Sequence, residues 1–350
     1  MTRPTHPAGS ASSAGSPSPS MTTAVAAPAR RRPRVRAIEG QELALIAVVG
    51  LLWVVLSLVT DTFLTTGNLQ NILFTVAPIA LVGIGMTAVI VTAGIDVSVG
   101  SQAAVVMVII ALVVRDSGLP FLLAVAVAVV IGLVLGAVNG LLVAYGGIHP
   151  IIVTFGTLNI YRFVSLQIFG TEQVAGVPAT LSPIGGGAEG RLLGVPTAWW
   201  LTLVLAAGMW CYMRFWATGR HLYAVGGDAF AARLAGVRVR RRQISAYVLT
   251  GACVGLAACV LIGSGGLVQQ NVGTGLELRV IAAVVIGGTS IIGGRGTVLG
   301  TLLGALLVGT VSSAVTLLSW PSELTQLFIG LFILVAVGVD LLRERRRSAR

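Results

Sequence analysis

The sequence predicts an all-α polytopic membrane protein with about ten transmembrane helices. Three observations carry that reading. The chain has 350 residues, of which 55% are hydrophobic and only 10% charged, whereas soluble domains average roughly 25% charged residues. Its mean hydropathy is +0.94. Its apolar residues gather in runs close to the about 20 residues a helix needs to cross a hydrocarbon core.

In chain order, residues 1–38 are rich in Ser, Pro, Ala and Thr and then in Arg. That composition builds no core and predicts a disordered basic cytosolic tail. The run Gln41 to Thr60 follows these arginines, as the apolar core of a signal peptide would. It is as long as a full span and has no clear small-residue cleavage site, so it reads as a retained helix. Ten candidate spans fill a membrane domain over 39–342: about 42–60, 72–93, 98–114, 120–145, 150–168, 197–216, 244–265, 276–291, 297–318 and 323–342. The third and eighth are short, so one of them is expected to be re-entrant or broken. Gly170 to Val195 is a Gly-rich, nearly neutral loop, and 217–243 is a strongly basic one. Within the latter, DAFAARLAGV predicts a short helix with Asp228 near its start and Gly236 as its stop. Residues 343–350 read as a second basic tail.

Arginine sets the orientation. Every one of the 23 basic residues is Arg, and most lie in three blocks: before the first span, around the 217–243 loop, and after the last span. Ten spans put all three blocks on one face, which the positive-inside rule makes the cytoplasm, with both termini there.

Gly132, Gly136 and Gly140 form a GxxxGxxxG row in the fourth span, and Gly300 and Gly304 a GxxxG in the ninth. Such rows let a second helix pack closely. If spans two to five match spans seven to ten, the two rows correspond. The halves then cross in opposite senses, the inverted repeat typical of transporters.

VTAGIDVSVGS at 91–101 places an acid between two apolar runs. Asp96 with Ser98 and Ser101 suits the start of the third span, where side-chain oxygens take up free backbone N–H groups. An intramembrane acid also marks a substrate or ion path. The sequence leaves both roles open. Asn139, Thr154, Thr157, Asn159, Arg162 and Gln326 are further polar groups in spans. Thr154 and Thr157 share a face of the fifth span, with Asn159 and Arg162 on another. Uncharged amides and hydroxyls suit a neutral polar cargo, and each also suits simple hydrogen bonding between helices.

No catalytic set is visible, whether HExxH, GxSxG or a Walker sequence, and a chain without Lys lacks the usual P-loop residue. No cofactor is expected. The three cysteines lie in apolar runs without a CxxC or Cys/His cluster, so neither metal nor disulfide is indicated. The arginines flank spans, which points to membrane topology and away from nucleic acid.

Four stretches resemble a known family. They are AGIDVSVGS (93–101), NGLLVAYGGIHPIIVTFGTLNIYR (139–162), GRHLYAVGGDAFAARLAGVRV (219–239) and GTGLELRVIAAVVIGGTSIIGGRGTVLGTLLGALL (273–307). Over residues 40–342 the chain resembles permease subunits of bacterial ABC sugar importers, the ribose/xylose/rhamnose group that includes autoinducer-2 permeases. The resemblance implies a non-catalytic subunit in the bacterial inner membrane, surrounded by lipid and paired with a second permease. It implies docking on ATPase subunits that hydrolyse ATP, and a sugar delivered by an extracytoplasmic binding protein.

It also makes 217–243 the coupling loop, with Gly219, Arg220, Ala231, Ala232, Arg233 and Gly236 at the ATPase. Phe230 stands where the importer coupling motif usually has Glu. The path or core turn would be formed by Asp96, Ser98, Ser101, Asn139, Thr154 and Asn159. A branched-chain amino-acid permease shares this architecture. An ion-coupled carrier would need titratable groups beyond one Asp.

Overall fold

The computed structural model describes residues 40–170, 173–185, 190–263 and 265–348. The expected tail 1–38 lies outside the described residues. Twelve α-helices follow one another among them: α1 (Gly40–Val59), α2 (Thr66–Val91), α3 (Val99–Ser117), α4 (Phe121–Gly146), α5 (Pro150–Phe169), α6 (Thr197–Phe215), α7 (Ala217–Gly227), α8 (Ala229–Leu234), α9 (Val239–Gly263), α10 (Leu276–Ile286), α11 (Val298–Leu317) and α12 (Glu323–Ser348). Four two-residue strands decorate them: β1 (Val174–Ala175), β2 (Arg191–Leu192), β3 (Val195–Pro196) and β4 (Leu267–Val268). β1 pairs antiparallel with β4, tying the Gly170–Val195 loop to the segment after α9, and β2 pairs with β3.

Each of the ten expected spans falls on a helix. Seven of these, α1 to α5, α9 and α11, are long and apolar enough to cross a membrane, and Glu323–Gly338 in α12 is a shorter apolar stretch. In α6 the aromatic and basic residues Trp199, Trp200, Trp210, Tyr212 and Arg214 dilute the apolar character. The eighth span, expected over 276–291, stops at Ile286 after 11 residues. At 1.5 Å per residue it reaches about half of a ~30 Å hydrocarbon core. Gly288, Gly293 and Gly294 beyond it hold φ of 94°, 97° and 72°, which a right-handed helix cannot accommodate.

Three other boundaries differ from expectation. α2 starts at Thr66 rather than 72, because Thr65 caps it and Asn68 is tied to α11 through the Ser313 hydroxyl at 3.0 Å. The basic loop holds two helices, α7 and α8, and α9 begins at Val239, so Arg240 to Arg242 belong to a helix rather than a loop. The expected tail 343–350 continues α12 as far as Ser348.

The packing pairs helices in a consistent way. α4 lies on α9 and α2 on α11; α3 lies on α9 and α10 on α2; α3 meets α5 and α10 meets α12. Matching α2–α5 to α9–α12 turns the first member of each couple into the second. Direction follows from contacts. Gly132 faces Gly251 and Gly255 while Gly140 faces Ile244, so α4 and α9 are antiparallel. Gly309 faces Val76, and the Thr87 and Thr301 hydroxyls lie 2.7 Å apart, so α2 and α11 are antiparallel too. Gly85 meets Thr250 and Cys253 while Gly94 meets Tyr247, so α2 also runs against α9.

The glycine rows make these approaches possible. A Cβ on Gly132 would strike the Gly251 carbonyl, and one on Gly136 the Tyr247 carbonyl. Gly300 and Gly304 face Gly287 and Ala283, so the second row packs against the half-length α10. α2 is buried along most of its length, whereas α1, α4 and α5 expose apolar faces through residues such as Leu51, Val134 and Phe155. That distribution suits an apolar solvent around the outer helices.

Candidate functional site

The site begins where α2 ends. Thr92 returns its hydroxyl to the Val89 carbonyl at 2.8 Å, and Ala93 takes a left-handed φ of 62°. Gly94 follows under the Tyr247 hydroxyl, which an added Cβ would meet at 2.9 Å. The backbone of this turn also reaches the second half of the fold: the Gly294 N–H donates to the Val91 carbonyl at 2.9 Å.

The chain then delivers Asp96 into the interior, fully buried. Its Oδ1 accepts from the Ser98 backbone N–H at 2.9 Å and from the Ser98 hydroxyl at 2.6 Å. Its Oδ2 accepts from Gln102 Nε2 at 3.0 Å and Asn139 Nδ2 at 3.2 Å. The Ser98 hydroxyl in turn accepts from Gln102 and Asn139, both at 2.8 Å. One carboxylate thus organises the turn, the first turns of α3, and α4. Burying it without these donors would be costly, because a low-dielectric interior disfavours an unpaired charge.

Thr154 brings in α5. Its hydroxyl lies 3.1 Å from the Ile95 carbonyl, beside the acid. Tyr161, two turns on, donates to the Leu135 carbonyl at 3.0 Å and lies 3.4 Å from Asn139 Oδ1. Asp96, Ser98, Asn139 and Thr154 therefore lie together around this turn. Ser101 is buried one turn into α3, where its hydroxyl returns to the Ser98 carbonyl at 2.9 Å. Asn159 stands apart. It is exposed on the opposite side of α5, and its amide donates to the Phe155 carbonyl of its own helix. Helical spacing puts it about 180° from Thr157 and Tyr161, so it is not brought to the turn.

Four residues of the site were not singled out by sequence. Gln102 lies four after Ser98, and Tyr161 four after Thr157, so helical spacing could have found both. Tyr247 carries no local signal. Glu277 opens α10, with its Oε1 accepting from the Gly275 N–H at 3.2 Å and its other oxygen packed over the bare face of Gly100. Gly100 and Gly273 meet backbone to backbone, so the starts of α3 and α10 abut. Each of these two helices has an acid at its entry. Two buried polar atoms of the site, Gln102 Oε1 and the Tyr247 hydroxyl, have no protein partner among the described residues.

The basic loop forms a separate feature. Asp228 caps α8 by accepting from the Phe230 and Ala231 N–H groups at 2.8 and 2.9 Å. Ala232 faces inward against Val225 and Val239. Phe230 and Leu234, one turn apart, are 71% and 75% exposed. Gly236 ends the helix at φ 82°. Gly219 packs against the Tyr212 carbonyl, and Arg220 donates to the Phe215 carbonyl at 2.6 Å. Ala231 and Arg233 are exposed.

Comparison with known proteins bears on both features. The chain is 36% identical over 301 residues to the ribose import permease protein RbsC of Escherichia coli K12, covering 86% of this chain and 93% of that one. It is 34% identical to the Haemophilus influenzae ribose import permease over the same shares. It is 35% identical over 297 residues to the autoinducer 2 import system permease protein LsrC of Salmonella typhi, covering 85% and 84%. No solved structure matches. Residues 68–337, which include most of α2, all of α3 to α11 and with them the Asp96 turn and α8, match the family described as branched-chain amino acid transport system / permease component, and the chain belongs to that family.

Proposed function

We propose that this chain is the membrane-spanning subunit of an ATP-binding-cassette importer in the bacterial inner membrane, forming the path for a monosaccharide of the ribose type. The observation that carries the reading is the similarity to ribose import permeases over 86% of the chain. The geometry supports it in two places. The entries of α3 and α10, one from each oppositely running half, abut at Gly100 and Gly273. In secondary transporters, cargo binds where discontinuous helices meet at a repeat interface, and the half-length α10 meeting α3 here has the same character. The Asp96 cluster braces that seam with uncharged amides and hydroxyls.

The second place is α8, which presents Phe230 and Leu234 outward from a short capped helix. An apolar pair on a rigid helix suits insertion into a cleft of a separate ATPase, with Phe230 supplying the contact where related importers use an acid. Ala231, Arg233 and Arg220 flank it, while Gly219, Ala232 and Gly236 shape the segment behind. Two such permeases, two ATPase subunits and an extracytoplasmic binding protein would complete the assembly. Similarity to autoinducer 2 permeases favours a second cargo, the autoinducer 2 signal, at the same path.

The test is reconstitution with the cognate ATPase and binding protein in vesicles. Ribose uptake that requires ATP inside and the binding protein outside is the expected result. Uptake driven by an ion gradient without ATP would replace this reading with an ion-coupled carrier.

A further inference from the structure

A hollow lined by several arginines lies away from the Asp96 turn. It has a volume of about 440 Å³ and is lined by Tyr145 at the end of α4, Arg233 on α8, and Arg238, Arg240 and Arg241 at the start of α9, with Val237 and Val239 between them. Four exposed arginines around one hollow make it electropositive and attractive to an anion. No carboxylate lines it, and among the described residues the one ion pair is Arg115 with Asp116, on α3. Asp228, the acid on this loop, has its Oδ1 committed to the α8 cap. Arg240 instead lies over the Tyr145 ring at 5.2 Å from its centre, which holds its guanidinium at the rim.

The surroundings say what kind of anion fits. The hollow stands where the membrane-crossing helices α4 and α9 reach one surface. Directly along α4 from Tyr145, the residues Leu142, Leu141, Val138 and Val134 are exposed. An apolar stripe therefore runs down from a basic pocket, with an aromatic ring at the junction. Such a pairing matches a molecule with a phosphate head and hydrocarbon tails. Arginine forks suit phosphate oxygens, and basic pockets at the ends of transmembrane helices take anionic headgroups.

We propose that this hollow is a binding site for an anionic phospholipid, with its headgroup phosphate among Arg238, Arg240 and Arg241 and its acyl chains along the outer face of α4. Arg233 places α8 at the same headgroup, so the lipid would pin the coupling segment to the membrane surface. The inference rests on α4 and α9 crossing the membrane and is independent of which solute is carried.

The test uses the full-length chain in detergent, with bound lipid counted by native mass spectrometry on addition of phosphatidylglycerol, phosphatidylcholine or inorganic phosphate. Selective retention of phosphatidylglycerol is expected. Replacing Arg238, Arg240 and Arg241 together by Gln should weaken it on the order of a hundredfold, since each surface arginine contributes about fivefold. Replacing the same three by Lys keeps the charge but loses the fork, so it should hold the lipid better than the Gln variant and less well than the parent, and Arg115→Gln should change nothing. Equal retention of phosphatidylcholine would overturn the proposal. So would competition by millimolar inorganic phosphate, or a Gln variant that binds as the parent does. If the Lys variant loses the lipid as fully as the Gln variant, the headgroup is not held by charge and the proposal also fails. None of these readouts depends on transport or on the ATPase.

Discussion

At the scale of single residues, Asp96 shows how a buried acid can be structural and still belong to a path. Every partner it has is a donor: the Ser98 N–H and hydroxyl, the Gln102 amide and the Asn139 amide. Asp96→Asn keeps the acceptor for Ser98 but sets an NH₂ group against the Gln102 and Asn139 amide donors, and a flip of the Gln102 amide turns its unpartnered Oε1 toward that group. That variant should retain much of the transport and lose about 1–3 kcal/mol of stability. Asp96→Leu strands several buried donors at about 1–3 kcal/mol each, and should abolish both a sharp thermal transition in detergent and uptake. Equal loss of uptake in two well-folded variants would show that the negative charge itself is needed. Asp96 with Ser98 was legible from residue type and position, and Asn139 as a polar group in a span; that they meet was not. Tyr247 was not, because its approach to Gly94 depends on α9 crossing α2 about 150 residues further along the chain.

Among elements, the glycine rows divide into contacts that tolerate no side chain and positions that do. Gly136→Ala would drive a methyl into the Tyr247 carbonyl, a backbone atom that cannot step aside. Overpacking of this kind costs about 1–3 kcal/mol and forces α4 away from α9. Gly156 lies in the interior of α5, and a methyl added there would meet nothing within 4 Å. Gly156→Ala should be neutral or stabilise by up to about 1 kcal/mol through helix propensity. Thermal unfolding of the two variants in the same detergent separates the cases.

Helix-packing faces were readable from spacing of four, but not their partners: the first row meets α9, and the second meets α10. The half-length of α10 was only partly readable. Its apolar run continues into Gly287–Gly288, and the chain turns there because successive glycines allow left-handed φ values. For α8, Leu234→Glu should leave folding intact, since the side chain is exposed, and sharply reduce co-purification of the ATPase. Undiminished co-purification would remove α8 from the docking surface.

For the whole molecule, the question is how ten apolar helices are threaded. Composition made the all-α membrane class legible, and the arginine blocks argued for one orientation. The paired packing of α2–α5 with α9–α12 adds an independent constraint, since two halves that run against each other must begin on opposite faces. One helix, α6, separates the Arg191–Leu192 strand from the α8 segment, so the two fall on opposite sides if α6 crosses, although its aromatic content weakens its apolar signature. For α1 to begin and α12 to end on one face, the short α10 together with the Gly287–Thr297 segment must also complete one passage.

Single cysteines test the α6 crossing. In a background with Cys211, Cys253 and Cys259 replaced by Ala, Leu192→Cys should react with a membrane-impermeant maleimide in intact cells, because the residue is 55% exposed. Ala235→Cys, exposed beyond α8, should react only after the membrane is opened. Reaction of both in intact cells would mean that α6 does not cross. The α8 segment and the arginine pocket beside it would then face the exterior, out of reach of any ATPase.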